Sequence, residues 1–172
     1  SGCFRQNHSF QPVESAGAQR SSGAFKETLM AISQAMCTSF KKELMTATHN
    51  FTNSSGNTFN LCLYTNSESL GAATTAYTSS NETSGTGYSA KGAALTNVTP
   101  TSSGTTGFAD FADLTFSTVT ITARGAMIFN DTATGDPAVC ILDFGSDKAA
   151  SSGDFTVQFP VASAGAAIIR IA

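Results

Sequence analysis

The stretch that decides the fold runs from residue 108 to residue 172 and reads FADFADLTFSTVTITARGAMIFNDTATGDPAVCILDFGSDKAASSGDFTVQFPVASAGAAIIRIA. Apolar and polar residues alternate along most of this stretch, and short polar segments interrupt the alternation. A period of two residues is typical of β-strands that bury one face. The sequence therefore predicts that the C-terminal part of the chain consists mainly of antiparallel strands.

One strand in this stretch changes phase. Leu114 and Phe116 occupy even positions, whereas the apolar residues that follow occupy odd positions: Val119, Ile121, Ala123, Met127 and Phe129. One extra residue moves every following side chain to the other face of a sheet, so we predict a β-bulge near residues 117–118. Gly125 predicts a bend or a close backbone approach in the same strand.

The other strands are predicted from the same alternation, at 58–65, 138–144, 155–159 and 165–171. The polar residues 131–137 predict a hairpin turn. Residues 87–99 are interpreted as a short strand pair or one irregular strand, and residues 100–107 as a loop. The fold class predicted for these six to eight strands is an antiparallel β-sandwich or a partly closed barrel.

Two segments precede the strands. Residues 1–22 are polar and aperiodic, and we predict an extended arm without a core of its own. Residues 23–49 carry apolar side chains at spacings of three and four, which predicts an N-terminal helix. At 172 residues, the chain is expected to form one β-rich domain over 23–172, with its strands between about 58 and 171.

Charge limits the partners that the chain can bind. Charged residues make up 12% of the sequence and the formal net charge is −3, so we expect no nucleic-acid binding, which needs a basic face. No apolar stretch reaches the roughly 18 residues that a membrane helix needs, so we expect no membrane association.

The sequence offers no recognisable catalytic or metal-binding motif. The four Cys are not spaced as zinc ligands, and the better interpretation of Cys62 and Cys140 is that they are buried thiols. A Cys62–Cys140 or Cys3–Cys37 disulfide remains the alternative. His49 is interpreted as a residue that interacts favourably with the C-terminal end of the helix dipole. We therefore expect a protein that is not an enzyme and that needs no cofactor or metal.

Four residues are predicted to lie at an interface: Phe4, Phe10, Tyr77 and Arg124. The two Phe lie in the predicted arm, and Tyr77 lies in a long polar loop over residues 66–86, of the kind that often carries contacts. Arg124 stands in mid-strand on the polar face. It is interpreted either as a solvent-facing side chain or as one half of a salt bridge between subunits.

From about Met36 onward, an ordered series of segments resembles small virion structural proteins of tailed bacteriophages: SFKKELM followed by HNF, FNLCLYT, GYSAKGAALTNV, LTFSTVTITARGAMIFND and AVCILDFGSDKAASSGDFTVQFP. The residues before Met36 depart from that pattern. The resemblance implies a non-enzymatic component of the virion, and we expect a decoration or cement protein on the capsid exterior. Its expected partners are the major capsid protein and further copies of itself, with a trimer as one arrangement.

Two other interpretations of the same features stay open. The first is a component of the tail, a tail fibre or the baseplate, which would use the same kind of β fold. The second is a carbohydrate-binding or adhesin module. The absence of Trp and the presence of only three Tyr disfavour this second alternative, because aromatic platforms usually carry such binding.

Overall fold

The structure is a computed structural model that describes residues 31–172. Its elements in chain order are β1 (Ala35–Met36), α1 (Thr38–Met45), β2 (Phe59–Tyr64), β3 (Ala93–Ala94), β4 (Asn97–Ser103), β5 (Thr106–Phe111), β6 (Leu114–Asn130), β7 (Ala138–Val157) and β8 (Ile169–Ile171). No helix of the described part is long and apolar enough to cross a membrane.

The strands form two antiparallel sheets. The larger sheet has the order β1-β7-β6-β2-β3 and the smaller has the order β4-β5-β8. Phe59 of the larger sheet meets Phe111 of the smaller sheet edge to face, with ring centroids 5.7 Å apart. Both rings are buried, so the core lies between the two sheets. The predicted mainly β, sandwich-like fold with one N-terminal helix is confirmed.

The long hairpin of β6 and β7 forms the centre of the larger sheet. Its strands have 17 and 20 residues and pair from Leu114↔Val157 to Phe129↔Ala138. The strands predicted separately at 138–144 and 155–159 therefore largely belong to one strand, which ends at Val157. The residues between them are mostly exposed and polar, because pairing with β6 satisfies their backbone groups without burying their side chains.

The predicted β-bulge in β6 is confirmed. The register of the β6–β7 pair shifts between Phe116 and Val119, and Thr118 adopts a φ of 55°. The backbone N–H of Thr118 donates a hydrogen bond to Asp154 Oδ1 at 3.1 Å. This side-chain acceptor replaces the partner that the interrupted ladder would have supplied.

Gly125 marks a close backbone approach, as predicted. A Cβ atom at this position would lie 2.5 Å from the carbonyl oxygen of Leu142 and 2.7 Å from Cγ2 of Ile32. Neither distance is compatible with a real side chain. The absence of a side chain makes room for the Ile32 side chain at this point.

The helix is shorter than predicted. Residues 31–37 are not helical: Ile32 forms a bridge to Leu70, and β1 pairs with β7. Ile32 and Met36 are four residues apart, a spacing that fits the helical period and equally the strand period of two. The helix ends at Met45, and Ala47 with a φ of 56° turns the chain away. The predicted helical residues 23–30 and the predicted arm 1–22 lie outside the described residues.

Two further boundaries differ from the sequence prediction. Residues 100–107 are not a loop, because β4 and β5 extend through them and only residues 104–105 form the turn. At the C-terminus only Ile169–Ile171 pair as a strand, although the prediction began at residue 165. Most of the misassigned residues are small or polar, and such residue types do not indicate whether the backbone is paired in a sheet.

Candidate functional site

A long segment, residues 65–92, lies over one face of the larger sheet, and we call it the covering loop. The Tyr77 ring packs on Phe129 of β6 at 5.0 Å between centroids, and the Tyr88 ring packs on Phe116 at 5.4 Å. An isolated bridge joins Thr86 to Thr120 of β6. The covering loop therefore packs on this face of the sheet in the place that a layer of helices or strands could otherwise occupy.

Glu82 holds the covering loop in place. Its carboxylate accepts hydrogen bonds from the hydroxyls of Tyr77 at 2.6 Å and Tyr88 at 2.8 Å. The Tyr88 hydroxyl in turn accepts a bond from the backbone N–H of Leu63 in β2 at 2.8 Å. The third tyrosine, Tyr64, donates to the carbonyl oxygen of Thr78 at 2.6 Å. Each of the three tyrosine hydroxyls of the chain thus donates a hydrogen bond to a residue of the covering loop.

Burial shapes the ionisation of the same tyrosines. Desolvation raises the pKa of Tyr64, Tyr77 and Tyr88 well above the ordinary value of 10. The hydrogen bonds of Tyr77 and Tyr88 to Glu82 raise the pKa of each further, because they are lost when the phenol ionises beside a carboxylate.

We expect no tyrosine of the native protein to ionise near pH 10, the ordinary value of the side chain. Because the folded pKa values are raised, the unfolded chain loses these protons first, and stability should fall as the pH rises above about 10. The measurement is tyrosinate absorbance against pH, with circular dichroism recorded in parallel. Absorbance that rises near pH 10 while the native circular dichroism persists would contradict this arrangement.

Lys91 ties the end of the covering loop to the β6–β7 turn. Its Nζ donates to Asp136 Oδ2 at 2.7 Å and to Asp131 Oδ1 at 3.0 Å. The ammonium also lies 5.6 Å from the ring centroid of Tyr77 and 5.7 Å from that of Phe129. The hydrogen bonds that Lys91 donates to the two carboxylates raise its pKa. Its side chain is 42% exposed, so the arrangement is a surface ion pair without the dry surroundings that would activate a lysine.

The predicted interface residue Tyr77 therefore has an intramolecular role. Its ring packs on Phe129, its hydroxyl binds Glu82, and its backbone N–H donates to the carbonyl of Asp136 at 2.9 Å. The sequence prediction of a loop free for contacts missed this, because the apolar partner of the ring lies 52 positions further along the chain. The other predicted interface residues of the arm, Phe4 and Phe10, lie outside the described residues.

Arg124 has a partner within its own chain. Its guanidinium forms an ion pair with the carboxylate of Asp143 on the adjacent strand β7. Both side chains are about three-quarters buried. Asp143 Oδ1 also accepts the backbone N–H of Gly145 at 2.8 Å, where β7 bulges away from β6. Arg124 therefore joins the two strands of the central hairpin, and a salt bridge to another subunit would have to compete with this pair.

An open groove of about 810 Å³ lies beside this ion pair, where the outer edge of β7 meets the C-terminal segment. Its apolar lining includes Leu142, Phe144 and Ile168. Arg170 at its rim donates to the carbonyl oxygen of Gly165 at 2.6 Å. None of its lining residues is a Ser, Thr, Cys, His or Lys, and its one carboxylate, that of Asp143, is paired with Arg124.

His49 lies in a buried network that the sequence did not indicate. Its side chain is fully buried, and Nε2 lies 2.9 Å from Glu43 Oε2. Nδ1 lies 3.0 Å from Asn130 Nδ2. Asn130 Oδ1 accepts the backbone N–H groups of Thr132 and Ala133, which fixes its amide nitrogen toward the ring. Nδ1 therefore accepts and Nε2–H donates to Glu43.

The earlier interpretation of His49 through the helix dipole is wrong, because α1 ends at Met45. His49 instead packs among the rings of Phe40, Phe51 and Phe59, with centroids 4.9 to 6.2 Å away. No nucleophilic side chain bonds to its ring nitrogens, so the contacts are those of a structural residue.

The described cysteines are buried. Cys37 and Cys62 carry free thiols, which excludes the Cys62–Cys140 disulfide considered from the sequence. The alternative Cys3–Cys37 disulfide involves Cys3, which lies outside the described residues. Burial raises the pKa of Cys37 to about 11 and that of Cys62 to about 12, which keeps both as unreactive thiols at neutral pH. Within residues 31–172, no group of three or more His, Cys, Asp or Glu side chains could hold a metal ion.

Comparison of the chain with protein-family models, with curated proteins and with solved structures finds no match. The function must therefore be argued from the residues and the fold.

Proposed function

We propose that the chain is a non-enzymatic structural protein of a tailed-bacteriophage virion, and that it acts as a decoration or cement protein on the capsid exterior. The observation that carries this proposal is the location, in the fold, of the segments that resemble phage virion proteins. FNLCLYT contains β2, LTFSTVTITARGAMIFND contains β6, and AVCILDFGSDKAASSGDFTVQFP contains β7. These three strands are neighbours in the larger sheet, so the resemblance covers one contiguous structural unit.

The surface of the sandwich supports binding through neutral contacts. The β4–β5 hairpin exposes most of β4, an uncharged strand whose exposed residues are Val98 and five Thr, Pro and Ser residues. The charges of Lys91 and Arg124 are paired within the chain. Such a surface favours many weak contacts made by many copies over one strong site. The first proposed partner is the major capsid protein, between whose subunits the chain would bind. The second is further copies of the chain, with a trimer as one arrangement.

Cryo-electron microscopy of intact particles tests the location. Density for the sandwich at local three-fold or quasi-three-fold positions of the capsid supports the proposal, and density confined to the tail favours the tail interpretation. Purified protein gives an independent test: it should bind emptied capsids and should bind neither isolated tails nor glycans. Binding to tails alone would overturn the capsid assignment.

The proposed arm can be tested separately. We expect deletion of residues 1–22 to leave the sandwich intact, because the buried core of the described part lies between Ile32 and Ile169. The same deletion should reduce the amount of protein bound to emptied capsids, because the proposed arm binds neighbouring subunits of the capsid. The measurements are circular dichroism and the bound fraction after sedimentation with capsids. Equal occupancy by the truncated and full-length chains would contradict a role for the arm.

A further inference from the structure

Asp110 is a buried carboxylate that lacks a balancing charge. It lies on β5 and is only 1% exposed. Its Oδ1 accepts the backbone N–H of Phe111 at 2.9 Å, while Oδ2 has no hydrogen-bond partner among the described residues. A buried polar atom without a partner costs free energy, and a buried charge costs more. The smaller sheet therefore contains a buried carboxyl group whose ionisation is unfavourable.

The groups around Asp110 do not compensate its charge. Burial is the largest effect and raises its pKa, and the nearby carboxyl of Asp113 raises it further. The backbone amides of Phe111 and Ile168 lower the pKa, but the combined effect of all these groups is to raise it. No Lys, Arg or His of the described residues forms an ion pair with Asp110. Arg170 on β8 instead donates to the carbonyl of Gly165.

The strand next to Asp110 is weakly attached. β8 contributes three residue pairs to β5, from Gly107↔Ile171 to Ala109↔Ile169, and no other strand of residues 31–172 pairs with its second edge. Ile171 is 59% exposed. Ile168 directly precedes β8, and its backbone amide lowers the pKa of Asp110. Its side chain also lines the groove beside the Arg124–Asp143 ion pair. Ile169 is buried in the core, but the ladder has three pairs and the strand ends in an exposed residue, which are features of a segment that opens locally.

We propose that Asp110 and β8 form a proton-controlled latch. While the carboxyl of Asp110 is neutral, β8 stays paired with β5; when the carboxyl ionises, β8 detaches and the carboxylate reaches water. Detachment leaves the edge of β5 free, and a free strand edge can accept a strand from another chain. The latch does not depend on the proposed function, because it involves only groups of this chain.

The direction of the pH effect follows from the raised pKa. A carboxyl that binds its proton more tightly in the closed state stabilises that state at low pH, and this contribution is lost as the pH rises through the closed-state pKa. Opening of β8 should therefore increase from acid to neutral pH. For each unit by which the pKa is raised, the opening equilibrium should change by about tenfold.

Hydrogen exchange of the full chain, followed by NMR from about pH 4 to about pH 8 and corrected for intrinsic exchange, tests the latch. We expect the β5–β8 amides to lose protection as the pH rises, while the β6 amides keep theirs. Asp110→Asn should abolish this dependence. Asp147→Asn, which removes an exposed carboxylate and the same charge, should behave as the unaltered chain does.

A second variant keeps the test decisive if Asp110→Asn does not fold. Asp113→Asn removes the neighbouring negative charge and keeps the oxygen that accepts the backbone N–H of Phe159. It should make the total loss of β8 protection between acid and neutral pH smaller and complete that loss at a lower pH, because the pKa of Asp110 would then be raised less. Protection of β8 that is independent of pH, that increases with pH, or that keeps its dependence in Asp110→Asn would overturn the latch.

Discussion

Replacement of Phe129 with Ala is expected to lower the free energy of unfolding by about 3–5 kcal/mol, the range for removal of a buried Phe side chain. The ring is fully buried in β6, between the β2 and β7 strands. It supports the Tyr77 ring, 5.0 Å away, and lies under the Lys91 ammonium. Its loss would leave a cavity at the point where the covering loop rests on the sheet.

Chemical denaturation at neutral pH measures this loss, and the chain supplies a matched control. Val161 is 78% exposed, so Val161→Ala should change stability by less than about 0.5 kcal/mol. Phe155→Ala should also destabilise the protein, although a ring that is 8% exposed should lie toward the lower end of the same range. A melting temperature of Phe129→Ala equal to that of the unaltered chain would show that the ring does not belong to the core.

The strands with strict alternation could be predicted from the sequence because one face of each is buried. In β6 the change of phase located the bulge at residues 117–118, since the pleat forces side chains to alternate. The same reasoning failed for the middle of β7. Its Ser, Ala and Lys side chains are exposed, and a strand that buries neither face leaves no hydrophobic period to detect.

The covering loop and the buried polar network could not be predicted, because both depend on contacts between residues distant in sequence. Tyr77 is predicted at an interface because it lies in a long polar loop, and nothing in the sequence of that loop indicates that its ring packs on Phe129. His49 bonds to Asn130, 81 residues away. Sequence periodicity reports which side of its own element a residue faces, and it does not identify the element that packs against that side.

Asn130 links three parts of the fold through one buried carboxamide. Its Oδ1 accepts the backbone N–H groups of Thr132 at 3.1 Å and Ala133 at 3.2 Å, which shapes the turn after β6. Its Nδ2 donates to His49 Nδ1 at 3.0 Å and to Asn57 Oδ1 at 3.1 Å. The network therefore joins the β6–β7 turn, the segment after α1 and the segment before β2.

Asn130→Ala is consequently expected to lower the free energy of unfolding by about 3 kcal/mol or more, because each buried group left without a partner costs about 1–3 kcal/mol. Asn130→Asp keeps the acceptor for the turn but loses the donor to His49, so it separates the two halves of the network. Asn66→Ala is the matched control, since Asn66 is exposed and donates only to Asp147 on the surface. Denaturation curves for the three variants give the comparison. If Asn130→Ala were no less stable than Asn66→Ala, the carboxamide would not be holding these segments together, and the buried position of His49 would need another cause.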